Sequence, residues 1–184
     1  MLEFEKKALL SAEAYALLRR SAVSEPQMQT NYYYDTENFL LHRLDVTCRV
    51  REKEGKCVAA LKLYRQGSDC CVEHCGAAEN PYDIRFFNCG GLCLQGTLTT
   101  ERLLLYRGEG ITAVLDRSTY LDRTDYELEL EYTPEIERRA DALLRHYEDD
   151  LRRCGLRSLF AFSAQNPLLF PAPPLQKICG HPGR

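Results

Sequence analysis

The chain has 184 residues, of which 45% are hydrophobic and 28% are charged, and its formal net charge is −3. This composition is typical of a globular domain, and it excludes a disordered chain. The small negative charge argues against a protein that binds duplex nucleic acid, and no apolar run approaches the roughly 20 residues that cross a bilayer.

The first half of the chain has the alternating pattern of strands, interrupted by one helix. Ser11 is a candidate N-cap for a helix that runs to about Ala22. Glu54 and Gly55 predict a turn, and residues 76–92 are expected to be irregular or partly helical. The predicted strands cover residues 2–8, 29–35, 45–52, 57–64 and 70–75.

The second half predicts three further strands, over residues 97–107, 110–116 and 125–132. A long helix follows, with Thr133 as its cap, Pro134 in its first turn and Gly155 at its end. The segment 164–184 is rich in proline, and we expect it to be poorly ordered after a single domain over 1–163. About eight strands with a few helices predict an α+β fold.

Charges recur at alternate positions of several predicted strands, and alternate residues of a strand share one face. The runs are Glu3, Glu5 and Lys7; Arg49 and Arg51; and Glu127, Glu129 and Glu131. Single charges in other strands, Lys62, Glu73, Arg102 and Asp116, extend the pattern. The solvated face of an open sheet would explain each strand taken alone. Three carboxylates in a row repel one another, however, so neighbouring cations must offset them.

Closing these strands into a barrel would place the charged faces inside. About eight strands leave an interior wide enough for side chains or one small ligand. A lumen that holds both basic and acidic clusters suits polyphosphate, because Arg and Lys bind phosphate oxygens. Carboxylates and phosphate together would hold Mg²⁺ or Mn²⁺.

Several of these residues resemble the motifs of one known family, in its order and over residues 1–163. Glu3, Glu5 and Lys7 resemble the ExExK signature of the CYTH superfamily, the triphosphate tunnel metalloenzymes. Segment 33–36 resembles the YFDT segment, Arg49 and Arg51 resemble the RxR strand, and Lys62 resembles the lysine of the strand that follows. Glu73 resembles the mid-chain glutamate, and residues 100–102 resemble the later basic strand. The acidic strands of the family are matched by residues 115–117, 120–121 and 125–131.

The resemblance implies an eight-stranded antiparallel β-barrel, a tunnel that binds a triphosphate and a divalent metal, Mg²⁺ or Mn²⁺. By that likeness, the phosphate-binding residues are Lys7, Arg49, Arg51, Lys62 and Arg102. The metal-binding residues are Glu3, Glu5, Glu73, Asp116, Glu127 and Glu129. Glu131 shares their face and is expected near the mouth of the tunnel.

Two positions depart from the family pattern. Leu104 stands where members often have a second basic residue after the one that matches Arg102. The segment 157–160 has Arg157 but no lysine, where many members carry one. Arg157 would supply a charge with a different geometry.

We expect metal-dependent hydrolysis of a triphosphate, inorganic tripolyphosphate in particular, with Glu127 or Glu129 orienting and deprotonating the attacking water. The expected partner is a small anionic substrate, bound by a monomer or a homodimer. Alternatives on the same scaffold are a class IV adenylate cyclase and a thiamine triphosphatase whose aromatic platform would be Tyr15, Tyr33, Tyr34 and Tyr120. Two other classes also stay open: a non-catalytic polyphosphate- or nucleotide-binding module, and a barrel with an apolar lumen and outward charges.

The nine cysteines are an odd number, and the first ten residues carry charges where a signal peptide would be apolar. These features predict reduced thiols in a cytoplasmic protein. The spacing of Cys71 and Cys75, and of Cys89 and Cys93, is only loosely similar to that of a four-thiolate zinc site.

Overall fold

A computed structural model describes residues 2–64 and 70–156. Its centre is a closed barrel in which every neighbouring pair of strands is antiparallel, in the order β1-β5-β4-β3-β2-β6-β7-β8. The predicted fold class is therefore confirmed. The strands are β1 (Leu2–Leu10), β2 (Gln27–Thr36), β3 (Val46–Lys53), β4 (Lys56–Tyr64), β5 (Cys70–Ala78), β6 (Leu92–Gly108), β7 (Ile111–Tyr120) and β8 (Arg123–Tyr132).

The helices are α1 (Ala12–Leu18), α2 (Leu40–Arg43) and α3 (Glu137–Arg153). Ser11 caps α1 as predicted, since its Oγ accepts a hydrogen bond of 3.2 Å from the Ala14 amide. The helix is shorter than predicted, because the chain tightens into a 3-10 turn over Arg19–Ser21. Within the part of the chain that the structure describes, no helix has the length and apolar character needed to cross a membrane.

The last helix begins differently from the prediction and ends as predicted. The Thr133 side chain does not cap it; the Thr133 amide donates instead to the Gly110 carbonyl, and a 3-10 turn over Pro134–Ile136 precedes α3. At the other end Gly155 has a φ of +72°. The amides of Gly155 and Leu156 then donate to the Arg152 and Leu151 carbonyls, which closes the helix with a Schellman motif.

The larger apolar core lies outside the barrel. The outward faces of β1, β6, β7 and β8 pack against α1 and α3, and the fully buried leucines of this core include Leu115, Leu128 and Leu130. A second core lies over β2, β3 and β4, where Tyr34, Cys48 and Val50 pack beneath α2 and the segment before β6. With apolar side chains pointing outward, the alternate polar side chains of the same strands must point into the lumen.

The predicted irregular segment 76–92 is wrong at both of its ends. β5 continues to Ala78 and β6 begins at Leu92, where small and polar residues break the alternation that marks a strand. Gly76 pairs with Ala59 of β4, and its lack of a side chain admits the Phe86 ring. A Cβ at Gly76 would lie 2.3 Å from that ring, so a larger residue there would displace Phe86.

Candidate functional site

The charged faces predicted from the sequence line the lumen. Glu5 is 1% exposed, Lys62 is 3% exposed and Asp116 is 4% exposed, although all three are ionisable. Charges this deeply buried need partners. The alternative of an apolar lumen with outward charges is therefore wrong.

Lys62 gathers one group of carboxylates on the β1, β4 and β5 side of the lumen. Its Nζ lies 2.6 Å from Oε2 of Glu3, 3.7 Å from Oε2 of Glu5 and 3.9 Å from Oε1 of Glu73. Lys62 of β4 and Glu73 of β5 are direct cross-strand neighbours, so the pairing of the two strands brings their side chains together. Burial alone would lower the pKa of Lys62, but the carboxylates, Glu5 first, leave it raised.

Arg102 gathers a second group on β7 and β8. It donates to Asp116 from Nε at 2.9 Å and from Nη2 at 2.6 Å, and Nη2 also lies 3.1 Å from Oε2 of Glu129. Lys7 joins the two groups, because its Nζ lies 3.2 Å from Oε1 of Glu5 and 3.7 Å from Oε2 of Glu129. The lumen is therefore one continuous network of alternating charges.

Arg49 and Arg51 on β3 are the least compensated cations of the lumen. Arg49 Nη2 lies 3.6 Å from Oε1 of Glu73, and its buried Nε has no hydrogen-bond partner among the residues that the structure describes. Arg51 has no ion pair with any carboxylate of residues 2–64 and 70–156, and its Nε donates to Oδ1 of Asn31 at 3.1 Å. Burial, and then repulsion by Arg49 and Arg102, lower the pKa of Arg51 to about 10. This side of the lumen has an excess of positive charge.

The carboxylates of β8 have different protonation equilibria. Burial raises the pKa of Glu127 to about 7, and repulsion by Glu129 adds to the effect of burial. Burial would also raise the pKa of Glu129, but Lys7 and Arg102 outweigh it and hold that pKa far below its usual value. Burial and Glu129 raise the pKa of Glu131 to about 7. Glu131, with a side chain 40% exposed, lies at the edge of the lumen as expected.

The carboxylates offer hard oxygen donors that suit a divalent cation. Within the part of the chain that the structure describes, neither buried carboxylate oxygen of Glu5 accepts a well-aligned hydrogen bond, and the Nζ atoms of Lys7 and Lys62 lie 3.2 and 3.7 Å away. Among the described residues no three His, Cys, Asp or Glu side chains already form a metal cage, because Lys and Arg side chains lie between the carboxylates. The chemistry of these oxygen donors fits a divalent cation.

Several uncharged lumen residues were missed by the sequence analysis. Asn31 of β2 is 2% exposed, and Thr100 of β6 accepts or donates a 2.9 Å hydrogen bond with Ser118 of β7. Tyr64 lies among Lys7, Lys62, Glu5 and Arg49. The sequence held one signal for three of them, because Tyr64, Thr100 and Ser118 lie two positions from Lys62, Arg102 and Asp116 and so share their strand faces.

The proposed tyrosine platform is not assembled. Tyr15 and Tyr34 lie in the outer cores, where the Tyr15 hydroxyl donates to Glu101 and the Tyr34 hydroxyl to the Pro81 carbonyl. Tyr120 hydrogen-bonds to Asp125, and only Tyr33 interacts with a phosphate-binding candidate, Arg49. The hypothesis that these four rings surround one ligand is therefore wrong.

The four cysteines with zinc-like spacing do not form a metal site. Cys71 is buried and its thiol lies 3.3 Å from Oε2 of Glu3, whereas Cys93 contacts the Asp35 carbonyl. The eight cysteines between residues 48 and 154 are free thiols.

Leu104, the first departure from the family pattern, is half-buried on the lumen side of β6 beside Val114. The second departure, in the segment 157–160, lies outside the described residues.

One mouth of the lumen opens into a cavity of about 410 Å³ beside the turn between β3 and β4. Arg49, Arg51, Lys53 and Lys56 line this cavity, together with Glu54. Glu73 and Cys75 form the β5 side. The lining thus carries four basic residues against two acidic residues.

Comparison with known proteins agrees with this geometry. The chain is 30% identical over 117 residues to a Bacillus subtilis (strain 168) protein named "Putative triphosphatase YjbK", and the match covers 56% of this chain and 61% of that protein. A Bacillus halodurans structure named "putative adenylate cyclase" is 24% identical, with a TM-score of 0.63 over 86% of this chain and 92% of that one.

A Hippeastrum structure, described as a "putative adenylyl cyclase" that "reveals a dominant" triphosphatase activity, is 21% identical. Its TM-score is 0.65, over 86% of this chain and 90% of that one. At these identities the two solved structures support the shared fold alone. The sequence also matches the CYTH domain over residues 1–152. With that match across most of its length, and with this barrel, the chain belongs to the CYTH domain family.

Proposed function

We propose that this protein hydrolyses a triphosphate, and specifically inorganic tripolyphosphate, in the lumen of its barrel. The observation that carries the proposal is the incompletely compensated positive charge of Arg49 and Arg51, which line the cavity. An anion with several phosphates would relieve the repulsion among Arg49, Arg51 and Arg102. The names of the Bacillus subtilis and Hippeastrum relatives support hydrolysis of triphosphates in general.

In the proposed complex, Lys7, Arg49, Arg51, Lys62 and Arg102 bind the phosphate oxygens and withdraw electron density from them. Lys62 and Arg102 then exchange part of their carboxylate contacts for phosphate contacts. The carboxylates that this exchange releases, Glu3, Glu5, Glu73, Asp116 and Glu129, would together with Glu127 hold a divalent cation such as Mg²⁺ or Mn²⁺. When bound, that cation neutralises charge on the transferred phosphoryl group.

Glu127 is the preferred general base of the pair that we expected from the sequence. A pKa of about 7 suits proton transfer near neutral pH, whereas Glu129 stays ionised beside Lys7 and Arg102. Water attacks the terminal phosphorus, its proton passes to Glu127, and the bond to the bridging oxygen breaks. The products are orthophosphate and pyrophosphate, and no covalent enzyme intermediate is needed.

The test is a substrate panel of tripolyphosphate, ATP, thiamine triphosphate and long-chain polyphosphate, each with Mg²⁺ and with Mn²⁺, and with identification of the products. Glu5→Gln and Arg51→Ala are assayed beside the wild type. We expect orthophosphate from tripolyphosphate with the wild type and a large loss in both variants. Equal release by all three proteins would reject the proposal, cyclic AMP would favour a cyclase, and tight binding without turnover would favour a binding module.

A further inference from the structure

Arg51 and Arg102 both point into the lumen, but different kinds of partner hold them. Arg102 is held by two carboxylates, Asp116 and Glu129. Arg51 is held through Nε by the amide oxygen of Asn31, at 3.1 Å, and forms no ion pair within residues 2–64 and 70–156. An amide orients a guanidinium without neutralising it.

The strand register fixes this contact. Asn31 of β2 is the direct cross-strand neighbour of Arg51 on β3, so both side chains rise from the same face at short range. Asn31 is only 2% exposed, and its neighbour on the other side is Leu98 of β6. The amide therefore has little freedom to leave Arg51.

The contact uses the Nε edge of the guanidinium and leaves the two terminal nitrogens for another partner. A guanidinium binds an anion best when two of its N–H groups point at two oxygens. Arg51 also lines the cavity at the mouth of the lumen, together with Arg49. A carboxylate at position 31 would neutralise the group, compete with phosphate for it and remove the charge that attracts the ligand.

We infer that Asn31 is a positioning residue, which aims the Arg51 guanidinium at the anionic substrate and keeps its positive charge available. The inference rests on the proposed function, since it needs a triphosphate in the lumen. It assigns a role to a neutral residue on β2, a strand that carries none of the charged candidates.

The test compares Asn31→Ala and Asn31→Asp with the wild type, by calorimetric titration with tripolyphosphate, by KM and kcat, and by melting temperature. Thr30→Ala is the matched control, because Thr30 is the preceding residue and its hydroxyl contacts Thr99 instead. We expect Asn31→Ala to weaken binding about tenfold, because a guanidinium that Asn31 no longer holds must be ordered when the ligand binds. We expect Asn31→Asp to weaken binding further while melting no lower than Asn31→Ala.

A role in packing alone predicts the opposite order, because a buried aspartate paired with Arg51 would restore the contact. Wild-type affinity in Asn31→Asp would overturn the inference, and so would an effect of Asn31→Ala that persists unchanged in an Arg51→Ala background. Failure of the wild type to bind tripolyphosphate would instead refute the proposed function. The two failures are thus distinguishable.

Discussion

Lys6 and Lys7 are consecutive in the sequence, but their ammonium groups lie on opposite sides of the barrel wall. Lys6 Nζ lies 2.9 Å from Oδ1 of Asp141 and 3.5 Å from Oε1 of Glu137, both on α3. Lys7 Nζ lies in the lumen, 3.2 Å from Oε1 of Glu5. One residue thus fastens a helix to the outside, and the next belongs to the site.

This relationship predicts opposite phenotypes for two neighbouring substitutions. Lys6→Ala should lower the free energy of unfolding by about 1–2 kcal/mol while tripolyphosphate hydrolysis by the folded protein is retained. Lys7→Ala should reduce hydrolysis at least tenfold, because a cation at the proposed phosphate site is lost. Urea unfolding and phosphate release measure the two effects, and a loss of activity in Lys6→Ala equal to that in Lys7→Ala would contradict the assignment.

Removal of Arg102 should destabilise the protein strongly. Arg102→Met leaves Asp116 and Glu129 buried without their main partner, and breaking a buried pair in this way costs about 3–5 kcal/mol. Replacing both partners, as Arg102→Met with Asp116→Leu, should recover part of that stability without recovering hydrolysis. If the double variant regained hydrolysis, Arg102 would have no role in binding the substrate.

Stability of the metal-free protein should fall as the pH rises from about 5 to 8. The pKa of Glu127 is about 7 in the folded state and near 4.5 in the unfolded state. The contribution of a raised pKa is complete below the unfolded value and is lost as the pH rises through the folded value, at most about 3 kcal/mol here. Glu129, with its lowered pKa, is ionised in both states over this range and does not oppose the trend.

Urea unfolding at intervals between pH 5 and pH 8 checks this prediction. Glu127→Gln should flatten the pH dependence, and Glu131→Gln should remove part of the remaining slope, because its pKa is also raised to about 7. If the free energy of unfolding of Glu127→Gln depended on pH as steeply as that of the wild type, burial would not raise the pKa of Glu127.

Divalent cations should stabilise the complex with tripolyphosphate through the buried carboxylates. Addition of Mg²⁺ or Mn²⁺ should raise the melting temperature of the wild type in the presence of tripolyphosphate, and a chelator should reverse the rise and stop hydrolysis. Glu5→Gln should reduce both effects, because the two buried carboxylate oxygens of Glu5 can bind a metal and have no hydrogen-bond partner within the described residues. Glu25→Gln, an exposed change outside the barrel, is the control, and equal metal effects in both variants would exclude Glu5 as a ligand.

The barrel was predictable because charge alternation fixes which face of each strand points inward. Alternate residues of a strand share one face, as Glu3, Glu5 and Lys7 do on β1, and Glu127 and Glu129 on β8. In a closed barrel whose outer surface is covered by an apolar core, these faces must point into the lumen. The roles of these residues in catalysis and metal binding stay predictions. Asn31 escaped notice because a single asparagine between Thr30 and Tyr32 carries no charge pattern.

The boundaries of several elements were not predictable for a related reason. Gly76, Ala77 and Ala78 extend β5 through backbone pairing with β4, which leaves no side-chain signature. Thr133 has the residue type of a cap, but its side chain makes no capping hydrogen bond, its amide pairs with the Gly110 carbonyl, and a 3-10 turn precedes the helix. Contacts between segments distant in sequence decide such cases.

The central claim is that the lumen is the binding site of a triphosphate, and titration calorimetry with tripolyphosphate on the metal-free protein tests it most directly. We predict one site per chain in the wild type, unchanged affinity in Lys6→Ala, and at least tenfold weaker binding in Arg51→Ala. The absence of binding to the wild type, or the same affinity in Arg51→Ala, would contradict the claim.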